Sequence, residues 1–206
     1  MKVILCSTNS TVKARWHQII EISEHELFET ASIPALITLI SREEADLVLM
    51  HNLCAPPETA SELVKMFPGC KFMLLSNQHD DIEGIAYLRA GVSGFASTYI
   101  RPERLLEAIK IIVEGGVWVG QRLMEKMIAD RFSASTDVDA DVHKVIDDLT
   151  DREKEVAQLI ASGVSNKEIA SQLDITERTV KAHLNSIYNK TGIQGRLPLA
   201  LFLHGK

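Results

Sequence analysis

Apolar residues in the first 115 positions fall in short runs separated by longer stretches with helical spacing. KVILC (2–6), LFETA (27–31), ADLVLM (45–50), KFMLLS (71–76) and VSGFAS (92–97) predict strands. Between and after them, VKARWHQIIEI, PALITLISREE, ETASELVKMF, DIEGIAYLRAG and PERLLEAIKIIVEGG place apolar side chains three and four apart, as a helix with one buried face does. Pro34 and Pro102 suit first-turn positions, where the missing N–H costs nothing, and the glycines of RAG and EGG suit helix stops. Strict strand–helix alternation predicts an α/β domain over 1–116. Its expected form is a five-stranded doubly wound parallel sheet in order 2-1-3-4-5, with its site at the carboxyl ends of the strands.

The pattern then changes. VWVGQRLMEKMIADR (117–131) predicts one extra helix, and the polar, acidic stretch at 132–146 predicts a linker. From 147 to 206 every periodic segment is helical. LTDREKEVAQLIASG opens with Thr150 and Glu153 spaced as a capping box and stops at Gly163. SNKEIASQLD repeats the device with Ser165 and Glu168. TERTVKAHLNSIYNKTG starts at an N-cap Thr176 and stops at Gly192. Two helices joined at LDIT have the dimensions of a helix-turn-helix, with Ile169, Ala170 and Leu173 buried from the first and Ile175 plugging the turn. Val180, Leu184 and Ile187 bury the second helix at i, i+4, i+7, which leaves Arg178, Thr179, Lys181, Ala182 and Asn185 on the other side.

Composition adds little until charge is divided by domain. With 46% hydrophobic and 24% charged residues among 206, the chain reads as an ordinary soluble globular protein. No apolar run is long enough to cross a bilayer, and the amino-terminal run is too short for a signal peptide, so no membrane association and a cytoplasmic location are expected. Cys6, Cys54 and Cys70 show no CxxC spacing and read as free buried thiols. A net charge of −6 argues against a nucleic-acid partner. Residues 1–147, however, hold 14 basic against 21 acidic side chains, and residues 148–206 hold 8 against 7. Within 176–206, five basic residues face Glu177 alone, a local +4 on an acidic body that could approach phosphates.

The stretch from LTDREKEVAQ to TGIQGR, ungapped and including the SNKEIA and TVKAH blocks, closely resembles the DNA-binding domain of LuxR/FixJ/NarL-type transcription regulators. The resemblance implies a four-helix bundle whose third helix, about 177–190, enters the major groove of double-stranded DNA. Lys181 would approach base edges or phosphate, with Ala182 and Asn185 beside the bases and Arg178 on the same face. Thr179, His183 and Lys190 would contact phosphates, as would the helix start around Ser165, Asn166 and Lys167. His183 has packing as its alternative.

LRAGVSGF and RPERLLEAIKIIVEGGVWVG resemble the fifth strand and flanking helices of the flavodoxin/CheY-like receiver domain of response regulators. A working receiver carries two acids after the first strand, an aspartate ending the third, Ser/Thr ending the fourth and lysine ending the fifth. The acids hold Mg²⁺, the aspartate attacks the phosphoryl group, and the metal and lysine neutralise charge on its oxygens. Carried onto this chain, the acid pair becomes Ser7 and Thr8, the nucleophile His51 and the lysine Thr98, while Ser76 keeps the hydroxyl. Neutral hydroxyls are poor Mg²⁺ ligands. The resemblance therefore implies a pseudo-receiver: the fold kept, phosphotransfer lost, no metal and no cofactor.

Several ways of controlling such a protein remain open. The α/β domain could serve as a phosphorylation-independent homodimerisation or protein-docking unit, since dimers suit pseudopalindromic operators. It could bind a small ligand. Biofilm regulators of the CsgD/VpsT kind are similarly degenerate, and VpsT-like members bind cyclic di-GMP through W-[FLM]-[TS]-R. Here the sequence is WVGQ, so Trp118 matches and Arg122 could replace the arginine one residue late; packing of Trp118 is the alternative. Cys6, Cys54 and His51 could share one end of the sheet as a redox or metal site, with core packing as the alternative. A regulator-titrating protein that no longer binds DNA is a further class. An enzyme is not expected, because nucleophile–base pair, metal cluster and Gly-rich phosphate loop are all missing.

Overall fold

A computed structural model describes residues 1–21, 25–78, 80–133, 148–193 and 195–203. The five expected strands form as β1 (Lys2–Cys6), β2 (Glu26–Thr30), β3 (Leu47–His51), β4 (Lys71–Ser76) and β5 (Gly94–Ser97). They pair in parallel in the order β2-β1-β3-β4-β5. Val3–Cys6, Leu47–His51 and Phe72–Ser76 are buried throughout. Central parallel strands are covered on both faces, which explains their continuous rather than alternating apolar runs.

The two faces divide by residue parity. Ile4, Val48, Met50, Phe72 and Leu74 pack under α2 (Ile33–Glu43), α3 (Pro57–Met66) and α4 (Asp81–Arg89). Val3, Leu5, Leu49, Met73 and Leu75 pack under α1 (Ser10–Ile20) and α5 (Pro102–Val113). α1 begins two residues before its apolar pattern because the Asn9 side chain accepts the Thr11 and Val12 N–H groups at 3.0 and 3.2 Å.

Residues 117–119 depart from the expected helix. The Trp118 N–H donates to Ser93 O at 2.9 Å, and its carbonyl accepts Phe95 N–H at 3.0 Å. This short bridge beside Gly94 pairs groups that the edge strand β5 would otherwise leave open. The helix itself, α6 (Gln121–Ser133), starts only afterwards and buries Leu123 and Met127. The expected linker at 132–146 lies outside the described residues, apart from the two that close α6.

The remaining described residues form α7 (Asp151–Ala161), α8 (Asn166–Leu173), α9 (Glu177–Thr191) and α10 (Arg196–Leu203) around their own core. Both capping boxes close, Thr150 with Glu153 and Ser165 with Glu168. Thr176 caps α9, and Gly163 and Gly192 end their helices in the left-handed region at φ 80° and 69°. The helical unit rests on the α/β unit. Leu197 and Leu201 of α10 pack against the α2–α4 core, and Asn166 N–H reaches Glu114 O at 3.4 Å. Gly195 and Gly91 meet backbone to backbone, so closely that a Cβ at 195 would stand 2.8 Å from Gly91 Cα.

Candidate functional site

The turn between α8 and α9 is built for rigidity. Asp174 ends α8 in the left-handed region at φ 53°, and Thr176 starts α9 by accepting Thr179 N–H at 3.2 Å. Val180, Leu184 and Ile187 seat α9 on the core while Leu173 and Ile175 fill the joint. Arg178, Lys181 and Ala182 are consequently exposed on the outer side, with Thr179, His183 and Asn185 half-buried. Among the expected residues of the first helix, Lys167 is exposed and Ser165 is engaged in its capping box.

Two residues expected at phosphates have partners within the protein. Lys190 Nζ lies 2.6 Å from Glu153 Oε2 and 3.4 Å from Asp148 O, so its charge is already committed. Glu153 is buried, and burial alone would push its carboxyl up. The Lys190 ammonium, the Ser186 hydroxyl at 2.6 Å and the Thr150 amide and hydroxyl outweigh that and hold it at about 2. Asn166 is buried at the contact between the two units, where its Oδ1 accepts Arg196 at 3.2 Å. Sequence spacing marks the capping role of Glu153 but not its ion pair 37 residues away.

One side of α9, from Lys181 to Tyr188, also borders the α/β unit. Lys181, Leu184, Asn185 and Tyr188 line a narrow cleft with Pro68, Gly69 and Lys71. Burial, with Lys181 and Arg196 nearby, holds the Lys71 ammonium below the usual lysine range. Like charges thus approach one another across this contact.

At the carboxyl ends of the strands, the receiver-like positions Ser7, His51, Ser76 and Thr98 do converge, all four buried, with Thr8 exposed beside them. The arrangement is sealed rather than open. Ser7 Oγ accepts Asn9 N–H at 3.1 Å, and the Asn9 side chain is spent as a helix cap. His51 Nε2 lies 3.2 Å from Asn77 Oδ1, and the Trp16 ring stands over the imidazole at 6.3 Å between centroids. Trp16 Nε1 donates to Thr98 O at 3.3 Å. His51 Nδ1 and Thr98 Oγ1 are buried without a hydrogen-bond partner among the described residues.

One carboxylate was missed in the sequence. Glu83, in the first turn of α4, accepts Ser76 Oγ at 3.0 Å and Asn52 Nδ2 at 2.8 Å. With Asn77 and Asp80 it lines an open cleft of about 460 Å³. Its position in a helix start concealed it, because an acid there reads as a partner of the helix dipole. Phe95 is buried and stacks on Tyr87 at 6.0 Å; the Tyr87 hydroxyl donates to Ala55 O at 2.6 Å.

Trp118 and Arg122 are not brought together. Trp118 packs on the α1–α5 side under the Arg104 guanidinium, 5.9 Å from the ring centroid. Arg122 instead pairs with Asp81 of α4 at 3.1 Å. Among the described residues no cluster of three His, Cys, Asp or Glu side chains could hold a metal ion, and no helix is long and apolar enough to cross a membrane.

A receiver-like α/β domain followed by a helix-turn-helix bundle is the build of a NarL/LuxR-type response regulator. Residues 147–203 match the family model of bacterial regulatory proteins described as luxR. The chain is 27% identical over 202 residues to the oxygen regulatory protein NreC of Staphylococcus aureus, covering 95% of this chain and 93% of NreC. Its fold is similar to that of the response regulator RcsB of Salmonella typhimurium, with a TM-score of 0.56 at 20% identity over 99% of this chain and 98% of RcsB. RcsB solved as two dimers bound to two parallel DNAs gives 0.55 at 18% identity over 100% and 98%.

Proposed function

We propose that the chain is a DNA-binding transcription regulator acting as a homodimer, whose α/β domain serves dimerisation or protein docking without being phosphorylated in the usual way. The observation that carries the DNA-binding part is the exposed Arg178–Lys181–Ala182 face of α9, held outward by a rigid helix-turn-helix. The luxR-family match over the same residues supports it, as does the DNA-bound state of RcsB, a protein of similar fold. The local charge of this segment suits phosphates although the chain as a whole is acidic. The dimer rests on the RcsB dimers and on the gain in affinity when two recognition helices engage one operator.

Loss of phosphotransfer is supported by what stands at the sheet's end. No carboxylate comes from positions 7, 8 or 51, and the His51 ring is shut in by Trp16 and Asn77. Glu83 supplies a single carboxylate, each oxygen of which already accepts one hydrogen bond, from Ser76 or Asn52. A hard divalent cation needs oxygen ligands that are free to face it.

One preparation of the full chain tests both parts. Affinity for duplexes selected from a random pool should fall steeply as salt rises, because phosphate contacts release counterions. Salt-independent binding would favour the reading in which the protein titrates other regulators. Incubation with acetyl phosphate and Mg²⁺ should leave the intact mass unchanged. Addition of one acid-labile phosphate would overturn the pseudo-receiver reading.

A further inference from the structure

The three cysteines are not equivalent. Cys70 is buried at the start of β4, where burial pushes its thiol up to about 12. Cys6 and Cys54 lie 48 positions apart, yet the structure puts them side by side. β1 ends at Cys6, and the 3₁₀ turn Asn52–Cys54 after β3 folds back over that end. The Cys54 thiol donates to the Cys6 carbonyl oxygen at 3.7 Å, which sets the two side chains at the same end of the sheet. Cys6 is fully buried, whereas Cys54 is only half-buried and within reach of solvent.

The surroundings of Cys54 favour sulfur in its anionic form. The neighbouring Cys6 thiol lowers the Cys54 thiol most, burial opposes, and the Thr8 amide and the Lys13 ammonium add to the lowering, with the result at about 7. The neighbouring Cys54 side chain and burial together push the Cys6 thiol up, and negative charge on Cys54 adds to this. One accessible thiolate with one protonated thiol beside it is the arrangement of an attacking and a resolving cysteine.

We propose that Cys6 and Cys54 form a redox couple in which Cys54 is oxidised by a peroxide-class oxidant and Cys6 resolves it to an intramolecular disulfide. The Cys54 thiolate attacks one peroxide oxygen, the O–O bond breaks, and hydroxide leaves to be protonated to water. Cys54 becomes a sulfenic acid and no longer carries the charge that kept Cys6 protonated. Cys6 sulfur then attacks Cys54 sulfur, the S–O bond breaks, and the Cys6 proton leaves with the hydroxide as a second water. Two thiols are oxidised by two electrons and one peroxide is reduced to two waters. The bond staples the loop after β3 to the end of β1, beside His51.

The test uses the full chain, reduced and desalted without oxygen, then treated with one equivalent of hydrogen peroxide. Denatured maleimide counting should fall from three thiols to one, and peptide mapping should find Cys6 joined to Cys54 with Cys70 free. Cys6→Ser should instead accumulate a dimedone-reactive sulfenic acid at Cys54, and Cys54→Ser should consume peroxide at least about tenfold more slowly. If Cys6→Ser fails to fold, limited iodoacetamide labelling of the unaltered chain at pH 7 provides the second reading. Cys54 should be alkylated more than about tenfold faster than Cys6 or Cys70. Equal labelling, oxidation of Cys70 first, or disulfides only between chains would each overturn the proposal.

Discussion

Lys181 and Lys190, the latter held by Glu153, illustrate how one residue type serves opposite ends. Lys181 is exposed at the rim of the cleft it shares with Lys71 and forms no ion pair among the described residues, so Lys181→Ala should weaken operator binding by about tenfold or more and lower the salt slope by about one, with the circular dichroism spectrum unchanged. Unaltered affinity in a fluorescence anisotropy titration would sink the assignment of α9. Glu153 is buried, and its oxygens hold Lys190, Ser186 and Thr150. Glu153→Gln removes the charge that three donors converge on, and should cost about 1–3 kcal/mol in denaturant unfolding of the helical domain. Because the folded-state carboxyl is lowered from 4.5 to about 2, its contribution is complete above pH 4.5 and disappears as pH falls towards 2. The melting temperature of the unaltered protein should drop through that window, and the drop should be smaller in Glu153→Gln.

Among elements, strands and caps were legible and contacts between elements were not. β1 and β4 occupy their predicted spans because the sheet's centre demands uninterrupted apolar runs, and the two capping boxes follow from a three-residue spacing. The delayed start of α6 was not legible, since VWV satisfies an extended bridge as readily as a first helical turn. The sealed end of the sheet was half legible. The missing acids can be read from positions 7, 8 and 51, but Trp16 closing over His51 joins residues 35 apart. Gly84 is another contact hidden from sequence. It lies inside α4, where glycine ordinarily weakens a helix, yet a Cβ there would stand 2.8 Å from both Leu123 and the Phe95 ring. Gly84→Ala should therefore destabilise the α/β domain by about 1–3 kcal/mol instead of the usual helix gain. A rise in stability on urea denaturation would show that α6 yields freely.

Across the whole molecule, the side of α9 that carries Asn185 is turned towards Lys71, so the proposed binding along the full length of α9 would require the two units to part. Charge at this contact sets how readily they do so. Lys71, Lys181 and Arg196 repel one another there, and Lys71→Glu would replace repulsion with attraction. That variant should bind DNA several-fold more weakly although residue 71 belongs to the other domain, with high salt narrowing the difference. Tighter binding by Lys71→Glu would show that the contact does not oppose DNA. The packing of Trp16 against His51 has a separate consequence for how such changes can be watched. Both tryptophans, Trp16 and Trp118, lie in the amino-terminal unit, one beside an imidazole and one beneath a guanidinium. Tryptophan emission, excited at wavelengths where Tyr188 of the helical domain does not absorb, therefore arises at the sheet end and its flank alone. The protein carries its own optical label on one half only.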